Sequence, residues 1–225
     1  MMGSAHRSRR NRLCQWIGIA AAMLAAFPAV AGSVAVTLTD QNGKALRDAV
    51  VYARPVAGTR VPIPPPKQVA VEQRDREFVA YVSVVQTGTT VTFPNRDALL
   101  HHVYSFSAAK NFEIKLYSGD TARSILFDKP GVVTLGCNIH DWMLGYVLVV
   151  DTAYFEKSGS DGRVSINDIV AGEFEIHVWH PHQRAATPMK LVKLDARANT
   201  LFDFTIDVVP RKKPFKPALD GIRYK

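Results

Sequence analysis

The segment GCNIHDWMLG, residues 136–145, places Cys137, His140 and Met143 three residues apart. Each residue alone is commonplace, because Cys and Met often fill protein cores and a single His is usually a structural residue. Together they bring a thiolate, an imidazole and a thioether into one loop. Copper(II) held for electron transfer favours two imidazoles and one thiolate in a plane, with a weak axial thioether. The spacing therefore predicts three ligands of such a site.

The missing imidazole is expected from a distant strand, so that folding closes the site around the metal. The doublet His101-His102, which follows the run VTFPN (residues 91–95), is the candidate. Neighbouring residues of a strand point to opposite faces of a sheet. Only one of the two can therefore face the cysteine loop, and the spacing alone leaves the choice open.

Both segments resemble the cupredoxin family. The run CNIHDWM, which leads into the apolar run GYVLVV, is similar to the cupredoxin ligand loop, and its short spacing is most similar to the amicyanins. The run VTFPNRDALLHHV resembles the amicyanin segment in which an Asn precedes the ligand His by six residues. The resemblance covers residues 67–152 and implies a Greek-key β-sandwich with one type 1 copper ion. The whole chain is also similar to proteobacterial proteins called methylamine utilization proteins.

The resemblance implies a role for each residue of the site. It implies four copper ligands: His101, Cys137, His140 and Met143, with His102 as the alternative to His101. Asn95 falls on the family Asn and would hydrogen-bond across to the cysteine loop. Trp142 and Leu144 would flank an exposed edge of His140 and receive a redox partner, with core packing as the alternative role for Trp142. Leu100 stands where many cupredoxins have a proline. Inside the cysteine loop, Asn138, Ile139 and Asp141 replace prolines typical of the amicyanins, which predicts a less rigid loop.

Other chemistries are weaker interpretations of the same residues. Zinc would need a fourth ligand, and Met is a poor one while Asp141 is adjacent to His140 and badly aimed. A cysteine nucleophile with a histidine base would need an orienting group and an oxyanion donor that the sequence does not show. The run HVWHPH contains His177, His180 and His182. We interpret them as polar residues at the end of a strand, and a second, weak copper site is the alternative. We therefore expect no enzymatic activity.

The N-terminus has the pattern of a secretory signal peptide. Four arginines precede an apolar stretch at residues 13–27, and Ala29-Val30-Ala31 offers a cleavage site. The apolar stretch is shorter than the roughly 20 residues of a membrane span, so we expect cleavage, a periplasmic protein and no remaining membrane anchor. Whether the Sec or the Tat route is used stays open. Cleavage would leave Cys137 as the only cysteine in an oxidising compartment, where metal ligation would protect it.

The positive charge is concentrated at the two ends of the chain. Of the formal net charge of +8, the four arginines of the predicted signal and the basic tail at residues 210–225 account for all the excess. The basic residues do not interleave with stacking aromatics, so the pattern argues against a nucleic-acid-binding surface.

Short strand-like runs separated by turns predict an all-β protein. The run VAVTLTDQNGKALRDAVVYA and the later run SDGRVSINDIVAGEFEIHVWH resemble transthyretin-like or carboxypeptidase-regulatory-like sandwiches. The predicted division is therefore: signal peptide 1–31, first part of this sandwich 32–57, Pro-rich linker 58–66, inserted cupredoxin domain 67–152, second part of the flanking sandwich 153–209, and basic tail 210–225.

The sequence thus favours a periplasmic type 1 copper protein that carries single electrons. Its expected partners are redox proteins, such as a periplasmic dehydrogenase or a c-type cytochrome. The alternative is a copper carrier or scaffold module whose metal never changes oxidation state. The mature chain has few Met residues beyond Met143 and Met189, which favours electron transfer over copper storage.

Overall fold

The computed structural model describes residues 31–119, 124–212 and 215, and in them the chain is all-β, as the sequence predicts. Nearly all of the predicted signal peptide and most of the basic tail lie outside these residues. The described residues contain no helix that is long and apolar enough to cross a membrane.

The strands are short and follow one another with tight connections. In chain order they are β1 (Gly32–Asp40), β2 (Val50–Pro55), β3 (Val69–Ala70), β4 (Gln73–Arg74), β5 (Glu77–Phe78), β6 (Val82–Gln86), β7 (Thr89–Thr92), β8 (His101–Ser107), β9 (Lys110–Tyr117), β10 (Ile125–Phe127), β11 (Gly131–Cys137), β12 (Leu144–Val150), β13 (Phe155–Lys157), β14 (Arg163–Ile169), β15 (Gly172–Trp179), β16 (Lys190–Leu194) and β17 (Asn199–Ile206).

One sandwich combines strands from the beginning and the end of the chain. Its two sheets have the orders β14-β1-β17 and β13-β2-β15-β16. In β1, alternate apolar side chains point inward, and Val34, Val36 and Leu38 are buried against residues such as Phe174 of the facing sheet. Strands before residue 56 therefore share a core with strands after residue 154.

The second sandwich is built from the strands between them. Its larger sheet has the order β6-β12-β11-β8-β9, and it faces a smaller sheet with the order β10-β7-β3. Side chains from the two sheets form one core that includes Phe93, Phe127 and Leu135. Cys137 and Met143 lie at one end of this core. The position of the cysteine loop is thus fixed by apolar packing as well as by strand pairing.

A small buried cluster joins the two sandwiches. It contains Val50 of β2, Val82 of β6, and Leu148 and Val150 of β12. Beside it, the hydroxyl group of Tyr81 lies 2.8 Å from Nε2 of His182. The two sandwiches therefore meet through an apolar contact with one polar pair, Tyr81 and His182, beside it.

Three strands, β4, β9 and β13, were not predicted from the sequence, and one strand-like run is divided in two. The strand β4 has only two residues. The strand β9 has a mostly exposed burial pattern and buries only Ile114 deeply, so its apolar signal is weak. The strand β13 has only three residues, which is too short for a periodic pattern. The apolar run at residues 78–85, which the sequence pattern favours as one strand, is divided between β5 and β6, because Ala80 adopts a φ of 66° that is not a strand conformation.

The buried His180 makes stability depend on pH. Its Nδ1 accepts a hydrogen bond from the backbone N–H of His182, and burial followed by the charge of His182 lowers its pKa from 6.5 to about 4. The folded state therefore favours the neutral ring, whose stabilising contribution is complete above the unfolded-state pKa and is lost as the pH falls toward 4.

We expect this group alone to remove about 2 kcal/mol of unfolding free energy between pH 7.5 and pH 5. Urea denaturation at both pH values gives the unfolding free energy that each protein loses between pH 7.5 and pH 5. The loss in His180→Gln should be smaller than the loss in the wild type by about 2 kcal/mol. Parallel losses in the two proteins would contradict the assignment.

Candidate metal centre

The structure brings His101, Cys137 and His140 together in one buried cluster. Their donor atoms lie within 4.8 Å of one another. Sγ of Cys137 is 3.8 Å from Nδ1 of His101 and 3.7 Å from Nδ1 of His140. The imidazole rings are 5.0 Å apart, with 60° between their planes. Two imidazole nitrogens and one sulfur thus converge on one point, as the spacing of the sequence predicts.

Strand pairing brings these distant segments together. The antiparallel strands β8 and β11 place Cys137 opposite Val103, and the backbone N–H of Asn138 donates to the carbonyl of His102. Because successive side chains alternate, His101 points into the core and is fully buried. His102 points to the other face, where its Nε2 lies 2.8 Å from Oε1 of Glu113. The structure therefore places His101, and not its alternative His102, at the cluster.

The loop between β11 and β12 carries the remaining candidates. The backbone N–H of Met143 donates to the carbonyl of His140, which closes a turn. The Met143 side chain is buried in the same apolar core as Cys137. Met143 is therefore held next to the cluster, and its role as an axial ligand stays a prediction.

A carboxylate that sequence reasoning missed holds the first histidine. Oδ2 of Asp97 lies 2.7 Å from Nε2 of His101, so the other ring nitrogen, Nδ1, is left facing Cys137. The backbone N–H groups of Asp75 and Arg76 donate to the two carboxylate oxygens of Asp97. Both residues have positive φ, as the two-residue turn between β4 and β5 requires. A carboxylate four residues before a candidate ligand is the signal that could have revealed Asp97.

Asn95 supports the site differently from what the resemblance implies. Its side-chain amide donates to the carbonyls of Leu99 and Tyr117, and its Oδ1 accepts the backbone N–H of Asp97. Among the described residues, these side-chain bonds of Asn95 shape the loop of the first histidine, and none of them reaches the cysteine loop. The reason is that Asn95 sits where this loop leaves the core, within reach of backbone groups on its own side.

Two of the three donors, Cys137 and His140, favour the protonation state that binds metals. Burial lowers the pKa of His101, but its hydrogen bonds with Cys137 and Asp97 outweigh burial and raise the pKa above its usual value. Burial raises the pKa of the Cys137 thiol, but hydrogen bonds from His101 and from the backbone of His102 and Ile139 outweigh it and lower the pKa below its usual range. Burial, followed by the charge of His101, lowers the pKa of His140. The site therefore favours a thiolate and a neutral second imidazole, the forms that bind metals.

The spacing of the donor atoms fits a bound metal ion. Metal–sulfur and metal–nitrogen bonds of about 2.3 Å and ~2.0 Å place the two donor atoms about 3.5 to ~3.7 Å apart. The separations between Sγ of Cys137 and the two Nδ1 atoms are 3.7 and 3.8 Å.

The edge of His140 is not exposed, contrary to the expectation from the sequence. His140 is only 3% exposed, because the ring of Trp142 packs beside it. The centres of the two rings are 5.2 Å apart, and their planes are 51° apart. The guanidinium of Arg76 makes a cation–π contact with Trp142, at 5.6 Å from the centre of the ring. Leu144 is 38% exposed. Trp142 therefore lies between His140 and the solvent.

The run HVWHPH forms no second metal cluster in the described part of the chain, where the group at Cys137 is the only one found. Nε2 of His177 is paired with Glu175, and the ring of His177 stacks on Tyr52. His180 and His182 lie at the junction of the two sandwiches. These histidines are structural in this fold.

No protein-family model matches the chain, and no curated protein matches it. Among solved structures, it is similar to a reduced amicyanin variant at 26% identity over 36% of this chain and 81% of that one, with a TM-score of 0.34. It is also similar to a copper-containing nitrite reductase from Thermus scotoductus at 27% identity over 44% of this chain and 26% of that one, with a TM-score of 0.36. A purple cupredoxin from Nitrosopumilus maritimus is similar at 22% identity over 37% of this chain and 98% of that one, with a TM-score of 0.31. Likenesses at these TM-scores are too weak to assign a function.

We expect Asp97→Ala to lower the affinity of the site for Cu(II) roughly 10- to 100-fold, because His101 loses the partner that orients its ring. Competition titration against a chelator measures the change. Asp141→Ala is the matched control: this exposed carboxylate lies beside His140 in the cysteine loop, and its removal should leave the affinity unchanged. Equal affinities in Asp97→Ala and the wild type would contradict the assigned role.

Proposed function

We propose that the chain binds one copper ion and carries single electrons in the periplasm. In this proposal His101, Cys137 and His140 are the equatorial ligands and Met143 is the axial ligand. The observation that carries it is the convergence of two Nδ1 atoms on one buried sulfur at 3.7 and 3.8 Å. The bound ion supplies reversible one-electron chemistry between copper(II) and copper(I).

The donor set favours copper over zinc. A zinc site needs a fourth strong ligand, and the nearest acidic candidate in the loop, Asp141, is exposed. The buried thioether of Met143 is a soft donor that suits copper in both oxidation states.

The surroundings of the cluster keep its geometry constant. His101 is held by Asp97 at one ring nitrogen, and Cys137 is held by strand pairing with β8. His101, Cys137, His140 and Met143 are each at most 4% exposed, so water has little access. A fixed, dry site lowers the rearrangement that accompanies each electron transfer.

Burial also favours electron transfer over the delivery of copper ions. A carrier must hand its metal to a partner, and that requires an accessible ligand edge. Here Trp142 covers His140, so release would require the loop to open. An electron needs no such opening. We therefore propose a redox carrier without bond-making catalysis, whose partners include periplasmic redox proteins.

Copper-loaded protein should be intensely blue or green, because a thiolate bound to copper(II) gives a strong charge-transfer band. Cys137→Ser and His101→Gln should abolish the colour, since each removes an equatorial ligand. His102→Gln is the matched control, because His102 lies on the same strand but on its other face, and this variant should keep the colour. Absorption spectroscopy of the four proteins decides the outcome. A colourless wild type with bound copper would contradict the proposal.

A further inference from the structure

A cavity of about 790 Å³ lies at the junction of the two sandwiches. Its walls come from both: Arg47, Lys157 and Arg211 belong to the flanking sandwich and its C-terminal extension, whereas Phe78 and Trp142 belong to the inserted one. The volume is within the range of small-molecule sites, roughly 300–1,000 Å³. It is too small to admit a folded protein domain.

This cavity provides a route to the metal cluster. His140 is buried, and the ring of Trp142 that covers it also lines the cavity. A molecule in the cavity that touches Trp142 is therefore one aromatic ring away from a proposed copper ligand. Electron transfer across such a contact requires no movement of the cysteine loop.

The walls combine aromatic surface with four cations and three carboxylates, and one of these cations forms no ion pair with a described residue. The cations are Arg47, Arg74, Lys157 and Arg211, and the carboxylates are those of Asp48, Asp75 and Glu77. Tyr81 and Trp142 line the cavity with aromatic surface, whereas Phe78, which also lines it, is only 4% exposed. The guanidinium of Arg211 lies 3.5 Å from the centre of the Tyr81 ring, and among the described residues it forms no ion pair. The other cations differ, as Lys157 and Arg47 lie 3.3 and 3.8 Å from Asp48, and Arg74 lies 3.3 Å from Glu72.

From these observations we propose that the cavity binds a small aromatic anion that acts as an electron donor, such as a catechol carboxylate. Its ring packs against the aromatic wall, and its carboxylate pairs with Arg211, where a charge-assisted bond is favoured. This inference rests on the proposed copper function and names a donor for it.

The electron balance of the step is complete. Copper held by His101, Cys137 and His140 would supply a one-electron oxidant. The catechol would give up one electron to it and one proton to water, and two of the resulting semiquinones would disproportionate to one catechol and one quinone. A redox partner would then take up the electron, so that no further oxidant would be needed in the cavity.

The test follows the bleaching of the copper(II) colour by protocatechuate, a catechol carboxylate, in stopped flow. The wild type should show a rate that saturates with donor concentration, as binding before electron transfer requires. Arg211→Gln should raise the half-saturating concentration about tenfold, the effect of losing one charge-assisted hydrogen bond. Lys212→Gln is the matched control, since it removes one adjacent exposed charge that does not line the cavity, and it should behave like the wild type.

Two further measurements separate the possible outcomes. Plain catechol, which lacks the carboxylate, should react equally well with the wild type and Arg211→Gln. Benzoate, which is not a reductant, should compete with protocatechuate in the wild type. A rate that rises linearly with protocatechuate, is equal in all three proteins and is indifferent to benzoate would overturn the inference while leaving the copper function intact. A protein that binds copper without colour would overturn the copper function, and calorimetric titration with benzoate would still test the cavity.

Discussion

The pairing of β8 with β11 is the constraint on which the candidate site depends. His101 and Cys137 are 36 residues apart in the chain, and each is surrounded by residues that could form a strand in more than one register. The pairing of Cys137 with Val103 and the bond from Asn138 to His102 fix that register. A shift by one residue would turn His101 away and bring His102 inward. Apolar packing at Val103 and Leu135, both fully buried, resists such a shift.

A second set of contacts decides how the first histidine is presented. The turn at Asp75 and Arg76 holds the carboxylate of Asp97, and Asp97 holds His101. Asn95 fixes the start of the same loop through the backbone N–H of Asp97. The orientation of the ring is therefore set by contacts that do not depend on a metal. Preorganisation of this kind reduces the cost of binding and of changing the oxidation state.

The all-β fold and the three clustered donors could be predicted from the sequence, because strand alternation and the spacing of Cys137 and His140 are local signals. The choice of His101 over His102 needed the register of β8, to which the resemblance pointed. Asp97 and the hairpin that holds it could not be read from periodicity, since they act from turns. The burial of His140 was also unpredictable. It depends on Trp142 and on the hairpin residue Arg76, which are brought together only by folding.

The central claim is that one copper ion is bound by one thiolate and two imidazoles. X-ray absorption at the copper edge of the protein loaded with one equivalent of copper(II) tests it most directly. We predict one short copper–sulfur distance together with two copper–nitrogen distances, and the loss of the sulfur contribution when Cys137 is replaced by Ser. A spectrum fitted by nitrogen and oxygen neighbours alone would contradict the account.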